Sequence, residues 1–370
     1  MLGRIDLSKV DFQGNKMKTR ETANCYIVKK PGKYKIPLVY GNAIKNGKDN
    51  ILAYANFSDY HDNPIESPWI SSDEIARAAV IWQDKKIIEI ENLKFSLGKL
   101  YLKFNITGST KCAGNAVIGI FDVTGSCIWS WHIWYYPGLL EKLRIGYQEK
   151  VKKRLPKYYN IGVLSAPLGY DGEEEYLYYQ WGRKDPFKGY YFKTRWQLIS
   201  DEKIITTCIQ NPDTIINDLS HSSCNLWDSA APKFINQSGI KSYFGSSRRS
   251  IKTIYDPCPR GFKVPGEDIY YYLDKSSSDI INGPGKHGIA FYTPDKGTLL
   301  LQARGYLNSN YSSTKRVSRM DEGGYFWTAH RTDKATCYCF IPDSSATPVT
   351  SCFTNESISK GFCILPAIDQ

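Results

Sequence analysis

The chain lacks the long apolar segments used for membrane insertion and secretion. It has no run of about 18 consecutive apolar residues, so no segment is predicted to cross a bilayer as a helix. Its first residues, Met1 to Asp6, also lack the apolar core of a secretory signal. We therefore expect an exported form of this protein to be a processed form or a piece of a longer chain.

The common catalytic patterns are also missing. The sequence has no Gly-x-x-x-x-Gly-Lys-Ser/Thr, no His-Glu-x-x-His and no Gly-x-Ser-x-Gly. Gly283 to Gly288 matches Gly-x-Gly-x-x-Gly, but the strand-like run Ile289 to Pro294 follows where a phosphate-binding helix should begin. We interpret it as a loop. The sequence therefore predicts a protein that is not an enzyme and binds no cofactor.

No metal site is predicted either. Cys337-x-Cys339 would need two further zinc ligands, and we interpret this pair as two thiols on one face of a strand. The Glu-Pro-Asn, Gln-Pro-Asp and Trp-Asn-Asp signatures of calcium-dependent lectins are absent. The 10 cysteines include no Cys-x-x-Cys, and their spacing leaves the redox compartment open.

The residues that are present favour β-structure. Only 3 residues are Met, whereas 27 are Tyr, 9 are Trp and 29 are Gly, a composition typical of pleated sheets and turns. A chain of 370 residues is longer than one core usually fills, which predicts two domains. We expect an all-β, sandwich-like domain at 1–150 and an α+β domain at 151–370.

The net charge of +11 could indicate an anionic partner. No nucleic-acid partner is predicted, because the basic residues do not interleave with aromatic residues along one face. The densest basic stretch runs from Lys142 to Lys157, at the expected boundary. We interpret it as a solvated linker, with contact to an acidic surface or glycan as the alternative.

The clearest strand signals form a hairpin. Ala116 to Phe121 and Cys127 to Trp134 flank a turn, and both faces of the second segment are largely apolar. The second strand is therefore predicted to be central in its sheet. We interpret its three Trp residues and His132 as core groups, with a ligand or metal role as the alternative.

Other local signals predict further elements. Asn24 to Val28 and Tyr34 to Tyr40 flank a turn and predict a second hairpin, with Pro37 at an edge or bulge. Tyr101 to Ile106 alternates as a half-buried strand should. Gly266 to Lys275 has acids in its first turn and a lysine at its end, which predicts a short helix.

Ordered motifs in the second half resemble a known family. They are Leu177 to Phe187, Leu226-Trp227, Lys252 to Ile254, Tyr255 to Pro265, Gly305-Tyr306, Gly323 to Trp327 and Gly361-Phe362-Cys363. In order and spacing they resemble the Fibrobacter succinogenes major paralogous domain. The resemblance implies a C-type-lectin-like fold, as in surface lipoproteins and fimbrium-associated proteins of Bacteroidetes-type bacteria. The first half is similar to the β-rich region that commonly precedes this domain.

The sequence departs from the family pattern at two places. Tyr159 to Val163 stands where relatives usually carry Asp-Arg-Asn-Leu-Gly, and Phe362 stands where Arg usually precedes the last Cys. The resemblance therefore implies the fold more strongly than it implies a shared ligand.

The resemblance also implies a disulfide bond between Cys258 and Cys363. Cys258 lies in the segment from Tyr255 to Pro265, here named the proline-rich segment, in which three prolines and a glycine restrict the backbone. A bond between these cysteines would constrain the unfolded chain. The alternative is two free, buried thiols.

Three residues are candidates for ligand binding. Trp181, Arg183 and Asp185 could place an aromatic ring beside hydrogen-bonding groups, as many sugar sites do. The alternative is an inward Trp with a surface pair of Arg183 and Asp185, since Trp is highly buried on average.

Together these expectations describe a non-enzymatic, extracellular, adhesin-like protein at the bacterial cell surface or outer membrane. Its expected partners are a host or bacterial surface glycan or protein, or other fimbrial subunits. Two alternatives stay open. One is a carbohydrate-active or modifying enzyme on a lectin-like fold. The other is a structural subunit or cap of a filament, which would require an unpaired strand edge.

Overall fold

A computed structural model describes residues 4–90, 101–107, 112–145, 162–173, 175–189, 204–216, 227, 251–274, 277–281, 287–294, 296–308, 317–331, 335–342 and 350–369. Strands account for 43% of the structure and helices for 8%, which confirms the predicted β-rich class. Within these ranges no helix is both long and apolar enough to span a bilayer, as predicted. Four features of the sequence analysis lie outside the described residues. They are the basic stretch beyond residue 145, the departure from the family pattern at 159–161, Leu226 and the loop at 283–286.

The first half has one α-helix and one 3-10 helix among its described strands. The elements are β1 (Ile5–Asp6), a 3-10 helix (Leu7–Lys9), β2 (Cys25–Val28), β3 (Gly32–Pro37), β4 (Ile44–Lys45), β5 (Lys48–Asp49), α1 (Ile51–Tyr54), β6 (Arg77–Gln83), β7 (Ile88–Ile90), β8 (Tyr101–Ile106), β9 (Gly114–Phe121), β10 (Cys127–Tyr135) and β11 (Lys142–Arg144).

The described part of the second half has two short helices among short strands. The elements are β12 (Gly162–Leu164), β13 (Tyr179–Gln180), α2 (Ile204–Gln210), β14 (Phe262–Lys263), α3 (Glu267–Asp274), β15 (Ser277–Ile281), β16 (Gly288–Tyr292), β17 (Thr298–Gln302), β18 (Tyr306–Leu307), β19 (Val317–Ser318), β20 (Gly324–Arg331), β21 (Ala335–Ile341), β22 (Thr350–Glu356), β23 (Gly361–Phe362) and β24 (Ala367–Ile368).

Two four-stranded sheets form most of the first half, in the orders β1-β3-β8-β7 and β2-β10-β9-β6. β9 and β10 form the predicted antiparallel hairpin. All 9 residues of β10 are buried, and the strand lies between β2 and β9, so its predicted central position is confirmed. β8 alternates half-buried and buried residues, also as predicted.

The predicted hairpin of residues 24–28 and 34–40 is wrong. β2 pairs in parallel with β10, whereas β3 lies in the other sheet between β1 and β8. A turn signal predicts where the chain reverses, but it does not specify which strands pair. All residues of β2 are buried, and the strand packs its apolar side chains beside the central strand β10. Pro37 is the last residue of β3, so its missing N–H lies at the end of the ladder.

Small antiparallel sheets contain the described strands of the second half, and β11 of the first half joins one of them. Their orders are β11-β12-β24-β14, β13-β23-β18-β19, β15-β16-β17 and β20-β21-β22. The last two strands of the chain, β23 and β24, each lie inside one of these sheets and so hold the chain end in place. The predicted helix is confirmed as α3, with Glu267 and Asp268 in its first turn.

The two halves share a hydrophobic core. One cluster of buried side chains contains Trp129 and Trp134 from β10 together with Trp181 and Trp327 from the second half. A second cluster contains Leu143 and Ile145 together with side chains from the second half. Apolar side chains from before and after residue 150 therefore pack together in both clusters.

The proline-rich segment contacts the first half through its backbone. Pro259 forms a parallel bridge with Cys25 at the start of β2. The Asn24 side chain donates to the carbonyls of Ile254 and Asp256, the second at 2.9 Å. These buried contacts fix the segment against the sheet that contains β10.

The carboxylate of Asp256 organises the proline-rich segment internally. It accepts hydrogen bonds from Lys252 Nζ at 2.7 Å, from the Cys258 backbone N–H at 2.8 Å and from the Val264 backbone N–H at 2.9 Å. Lys252 Nζ also donates to the carbonyls of Cys258 and Phe262 at 2.9 and 2.6 Å. Since Asp256 is 1% exposed, this buried charge pair depends on a complete set of hydrogen bonds.

We expect Asp256→Ala to be strongly destabilising, because it leaves the Lys252 ammonium buried without its counter-charge. The expected loss is about 3–5 kcal/mol in the free energy of unfolding, measured by urea denaturation. The matched control is Glu66→Ala, which removes an exposed carboxylate and should change that free energy by less than about 0.5 kcal/mol. Equal stability of the two variants would contradict the proposed role of Asp256.

Candidate functional site

The three residues predicted to bind a ligand lie in the interior. Trp181, Arg183 and Asp185 are each 3% exposed. The Trp181 indole donates its N–H to the carbonyl of Thr328 at 2.9 Å, and its ring packs against Trp227 at 5.3 Å between centroids. The Trp is inward, as the alternative held, but the expected surface pair of Arg183 and Asp185 is also buried.

The two terminal nitrogens of the Arg183 guanidinium are occupied by protein acceptors. It donates to Gln180 Oε1 at 3.1 Å and to the carbonyls of Cys208 and Asn211 at 3.3 and 3.0 Å, and also to the carbonyl of Thr214. These carbonyls lie at the end of α2 and in the turn that follows. Arg183 therefore ties this turn to the segment after β13, which is a structural role.

Asp185 belongs to a buried contact between the two halves. Its carboxylate forms an ion pair with the neighbouring Lys184 at 2.9 Å and accepts the Ser130 hydroxyl at 2.6 Å. Lys184 Nζ also donates to Ser130 and lies 4.5 Å from the centroid of the Trp129 ring. Ser130 is on β10, so this cluster attaches the second half to the central strand. Its burial keeps Ser130 out of reach of a substrate.

A small cavity lies beside this cluster. It has a volume of about 10 Å³, room for roughly one water molecule, and is lined by residues 182–185, Tyr255 and three residues of α2. A sugar ring is much larger than this space. The predicted ligand contacts would therefore require the core to open.

The two cysteines expected to form a disulfide are free. Cys258 and Cys363 are buried thiols, so the bond implied by the resemblance is not formed in this structure. Burial raises the pKa of both thiols above the ordinary value. Two free, buried thiols were the alternative interpretation. In the described part of the chain, no group of three or more His, Cys, Asp or Glu side chains could hold a metal ion.

A row of four aromatic rings reaches the surface elsewhere. This aromatic strip consists of Trp134, Tyr136, Tyr170 and Tyr176, with successive ring centroids 5.8, 6.2 and 5.5 Å apart. Trp134 and Tyr176 are buried at its ends, whereas Tyr136 and Tyr170 are half-buried. The Trp134 indole donates to the carbonyl of Tyr170 at 3.0 Å, which fixes the two parts of the strip together.

Lys29 lies beside the aromatic strip because of a parallel strand pair. β2 ends opposite the end of β10, with Val28 paired to Tyr135, and the Tyr136 N–H continues the ladder to the carbonyl of Val28. The residue that follows β2 is Lys29, and its Nζ lies 5.3 Å from the centroid of the Tyr136 ring. Nζ donates to the carbonyl of Gly138 at 2.7 Å.

A buried polar network supports the loop that carries Tyr170. Asn115 Nδ2 donates to Asp84 Oδ2 at 3.0 Å and to the carbonyl of Gly169 at 2.9 Å. The Asn115 Oδ1 is left to accept, so His132 Nε2, at 3.0 Å, carries the proton. A Cβ at position 169 would lie 2.3 Å from Leu177, so this loop requires glycine at that position.

The ionisable members of this network are shifted by burial. Burial lowers the pKa of His132 to about 3 and raises the pKa of Asp84. The imidazole is therefore neutral near neutral pH. This arrangement agrees with the prediction that His132 is a core group, and it gives the histidine a supporting role beneath the strip.

No protein-family model, no curated protein and no solved structure matched this chain.

Sequence patterns missed Lys29, Tyr136 and Tyr170 as candidate binding residues. The usable signal was slight: Tyr136 lies between a buried strand and Pro137-Gly138, where a chain leaves a sheet. The parallel pairing that brings Lys29 beside it joins strands about 100 residues apart in sequence, and local alternation does not specify such a pair.

Replacement of Arg183 by Ala should reduce stability. The variant leaves buried carbonyls without their donor, and we expect the free energy of unfolding to fall by about 2–4 kcal/mol. Chemical denaturation measures this change, with Arg77→Ala on an exposed position of β6 as the control. If Arg183→Ala left stability unchanged and only reduced binding to a partner, the structural role given to Arg183 would be wrong.

Acidification should destabilise the protein through His132. Its pKa of about 3 in the folded state lies below the ordinary 6.5, so between these values the unfolded chain binds a proton that the folded chain does not. Stability from this group is thus present above about pH 6.5 and lost as the pH falls, by about 1.4 kcal/mol per pH unit. Urea denaturation from about pH 6 to about pH 4 measures this slope.

The control for this experiment is His132→Gln, which lacks the titrating group. Asp84 acts in the opposite direction, because its raised pKa favours the protonated folded state at low pH. Asp84 is present in both proteins, so the difference between their slopes isolates His132. Identical slopes would show that His132 does not contribute.

Proposed function

We propose that this chain is an extracellular, adhesin-like protein, exposed on a bacterial surface or associated with a fimbrium, that binds a glycan or protein partner. Under this proposal the first half is a β-sandwich-like domain and the second a C-type-lectin-like domain related to the Fibrobacter succinogenes major paralogous domain. The proposal gives the protein a binding function without a chemical step.

The observation that carries the proposal is the partly exposed aromatic strip beside Lys29. Aromatic rings with a charged neighbour on a rigid sheet are typical of recognition surfaces, because they offer apolar area and hydrogen bonding at little cost in conformational entropy. Tyr136 is held by the ladder between β2 and β10, and Tyr170 by the network beneath its loop. The strip therefore presents preorganised side chains.

The burial of the family-like motifs supports the same division of roles. Trp181, Arg183 and Asp256 are internal and bind protein groups. The residues of these motifs hold the chain together. Under this proposal, the partner is bound by surface residues outside the motifs. A family built this way could keep one framework and recognise different partners.

A binding screen with the intact protein tests the proposal. We expect the purified protein to bind at least one component of a glycan array or to capture a surface glycoprotein in a pull-down. Because the net charge is +11, each positive result is repeated at about 1 M salt, where the Debye length is about 3 Å and non-specific attraction is screened. The absence of any partner in both screens would overturn the proposal.

A further inference from the structure

We propose that Tyr136 and Lys29 form a subsite for an acidic sugar unit, in which the ring of Tyr136 stacks on the sugar and the Lys29 ammonium binds its carboxylate or sulfate. This inference rests on the proposed binding function and names the class of ligand. Three features of the surface carry it: access to the Tyr136 ring, unused polar groups, and an ammonium without a counter-ion.

The first feature is the partial exposure of Tyr136, which is half-buried. Its neighbours include Gly138 and Gly172, where an added Cβ would lie 2.8 and 3.6 Å from ring atoms of Tyr136. Glycine at both positions keeps side chains away from the ring. The ring is backed by Trp134 and Tyr170 and cannot easily turn away, so an open part of its surface is held toward solvent.

The second feature is unused hydrogen-bonding capacity next to that ring. The Tyr136 hydroxyl makes no hydrogen bond to a residue that the structure describes. The Tyr170 hydroxyl donates to the carbonyl of Glu173 at 3.2 Å, which leaves its oxygen free to accept. Sugar hydroxyls both donate and accept, so these two phenols match the rim of a stacked sugar ring.

The third feature is the state of the Lys29 ammonium. It donates one of its three N–H groups to Gly138 and forms no ion pair with a described residue. Burial lowers the pKa of Lys29 to about 8. An anion at this position would complete the hydrogen bonding of the ammonium and offset the cost of its burial.

Two carboxylates of the neighbouring loop, those of Asp171 and Glu175, already bind protein groups. Asp171 Oδ1 accepts the backbone N–H groups of residues 173 and 175, at 3.0 and 3.1 Å. The Glu175 carboxylate pairs with Lys188 at 3.1 Å. Lys30, next to Lys29, is exposed and adds a second positive charge at this edge. Lys29, which forms no ion pair with a described residue, is therefore the group at this edge that an anionic substituent would contact.

The experiment compares matched glycans and matched variants of the intact protein. Immobilised glycans are offered in pairs that differ only in the acidic group: sialylated with desialylated, glucuronate with glucose, and sulfated with unsulfated. Binding is measured for the unmodified protein, Lys29→Gln, Lys29→Arg and Tyr136→Leu. The charge-matched control is Lys48→Gln, on exposed β5. Thermal unfolding of each variant verifies that it is folded.

We expect the unmodified protein to prefer the acidic member of one pair. Lys29→Gln should weaken binding to that glycan about tenfold, the loss typical of one charged hydrogen bond, and leave binding to its neutral partner unchanged. Lys29→Arg should retain the preference, and Lys48→Gln should behave as the unmodified protein. Tyr136→Leu keeps apolar volume against Trp134 but removes the ring, and should weaken both members of the pair. The preferred pair identifies the anion as carboxylate or sulfate.

The pH dependence provides a second readout. Affinity for the acidic glycan should fall between about pH 7 and about pH 9, because Lys29 loses its charge through this range, and Lys29→Arg should remove that fall. The other ionisable groups of the described surface are Tyr136, Tyr170, Lys30 and the carboxylates of Asp171, Glu173 and Glu175. Burial raises the pKa of both tyrosines, so their titration lies above this range.

Failure of this inference is distinguishable from failure of the proposed function. If the protein binds glycans but Lys29→Gln and Tyr136→Leu do not change that binding, the subsite is wrong and the adhesin-like function stands. Capture of a protein partner without any glycan binding would also overturn the subsite and leave the adhesin-like function standing. If the unmodified protein binds nothing, both proposals fail.

Discussion

The buried carboxylate of Asp256 is the interaction on which the connection between the two halves depends. It draws together the Lys252 ammonium and two backbone N–H groups of the proline-rich segment, while the carbonyl of the same residue accepts from Asn24 beside β2. A buried charge is tolerated only when its hydrogen bonds are complete. These hydrogen bonds hold the proline-rich segment in the conformation that places Pro259 against Cys25.

A second charged contact joins the two halves at β10. Lys184 and Asp185 reach Ser130 on β10, the strand that also pairs with β2. The family-like motifs thus meet around the central strand of the first half. Their polar atoms are used to hold elements together, and the nearby cavity is the size of a water molecule. The recognition proposed above therefore requires side chains that reach solvent elsewhere.

The aromatic strip shows how the same frame brings aromatic and charged groups to the surface. The parallel ends of β2 and β10 place Lys29 and Tyr136 side by side. Asn115 is hydrogen-bonded to His132 and Asp84, and it donates to the carbonyl of Gly169 in the loop that carries Tyr170. Each exposed group is therefore backed by a buried, hydrogen-bonded partner. Such support is what gives a small surface a defined shape before a ligand arrives.

Local patterns in the sequence determined the β-rich class, the β9–β10 hairpin, the central position of β10 and the helix α3, because alternation, turn residues and helix-end charges act between near neighbours. Local patterns failed for the pairing of β2 and β3, and they predicted Trp181, Arg183 and Asp185 as candidate ligand-binding residues although these side chains are buried. Strand partners far apart in sequence and the burial of a polar motif depend on how apolar faces pack together. Only the tertiary structure therefore decided that Arg183 and Asp185 lie inside while Lys29 and Tyr136 reach the surface.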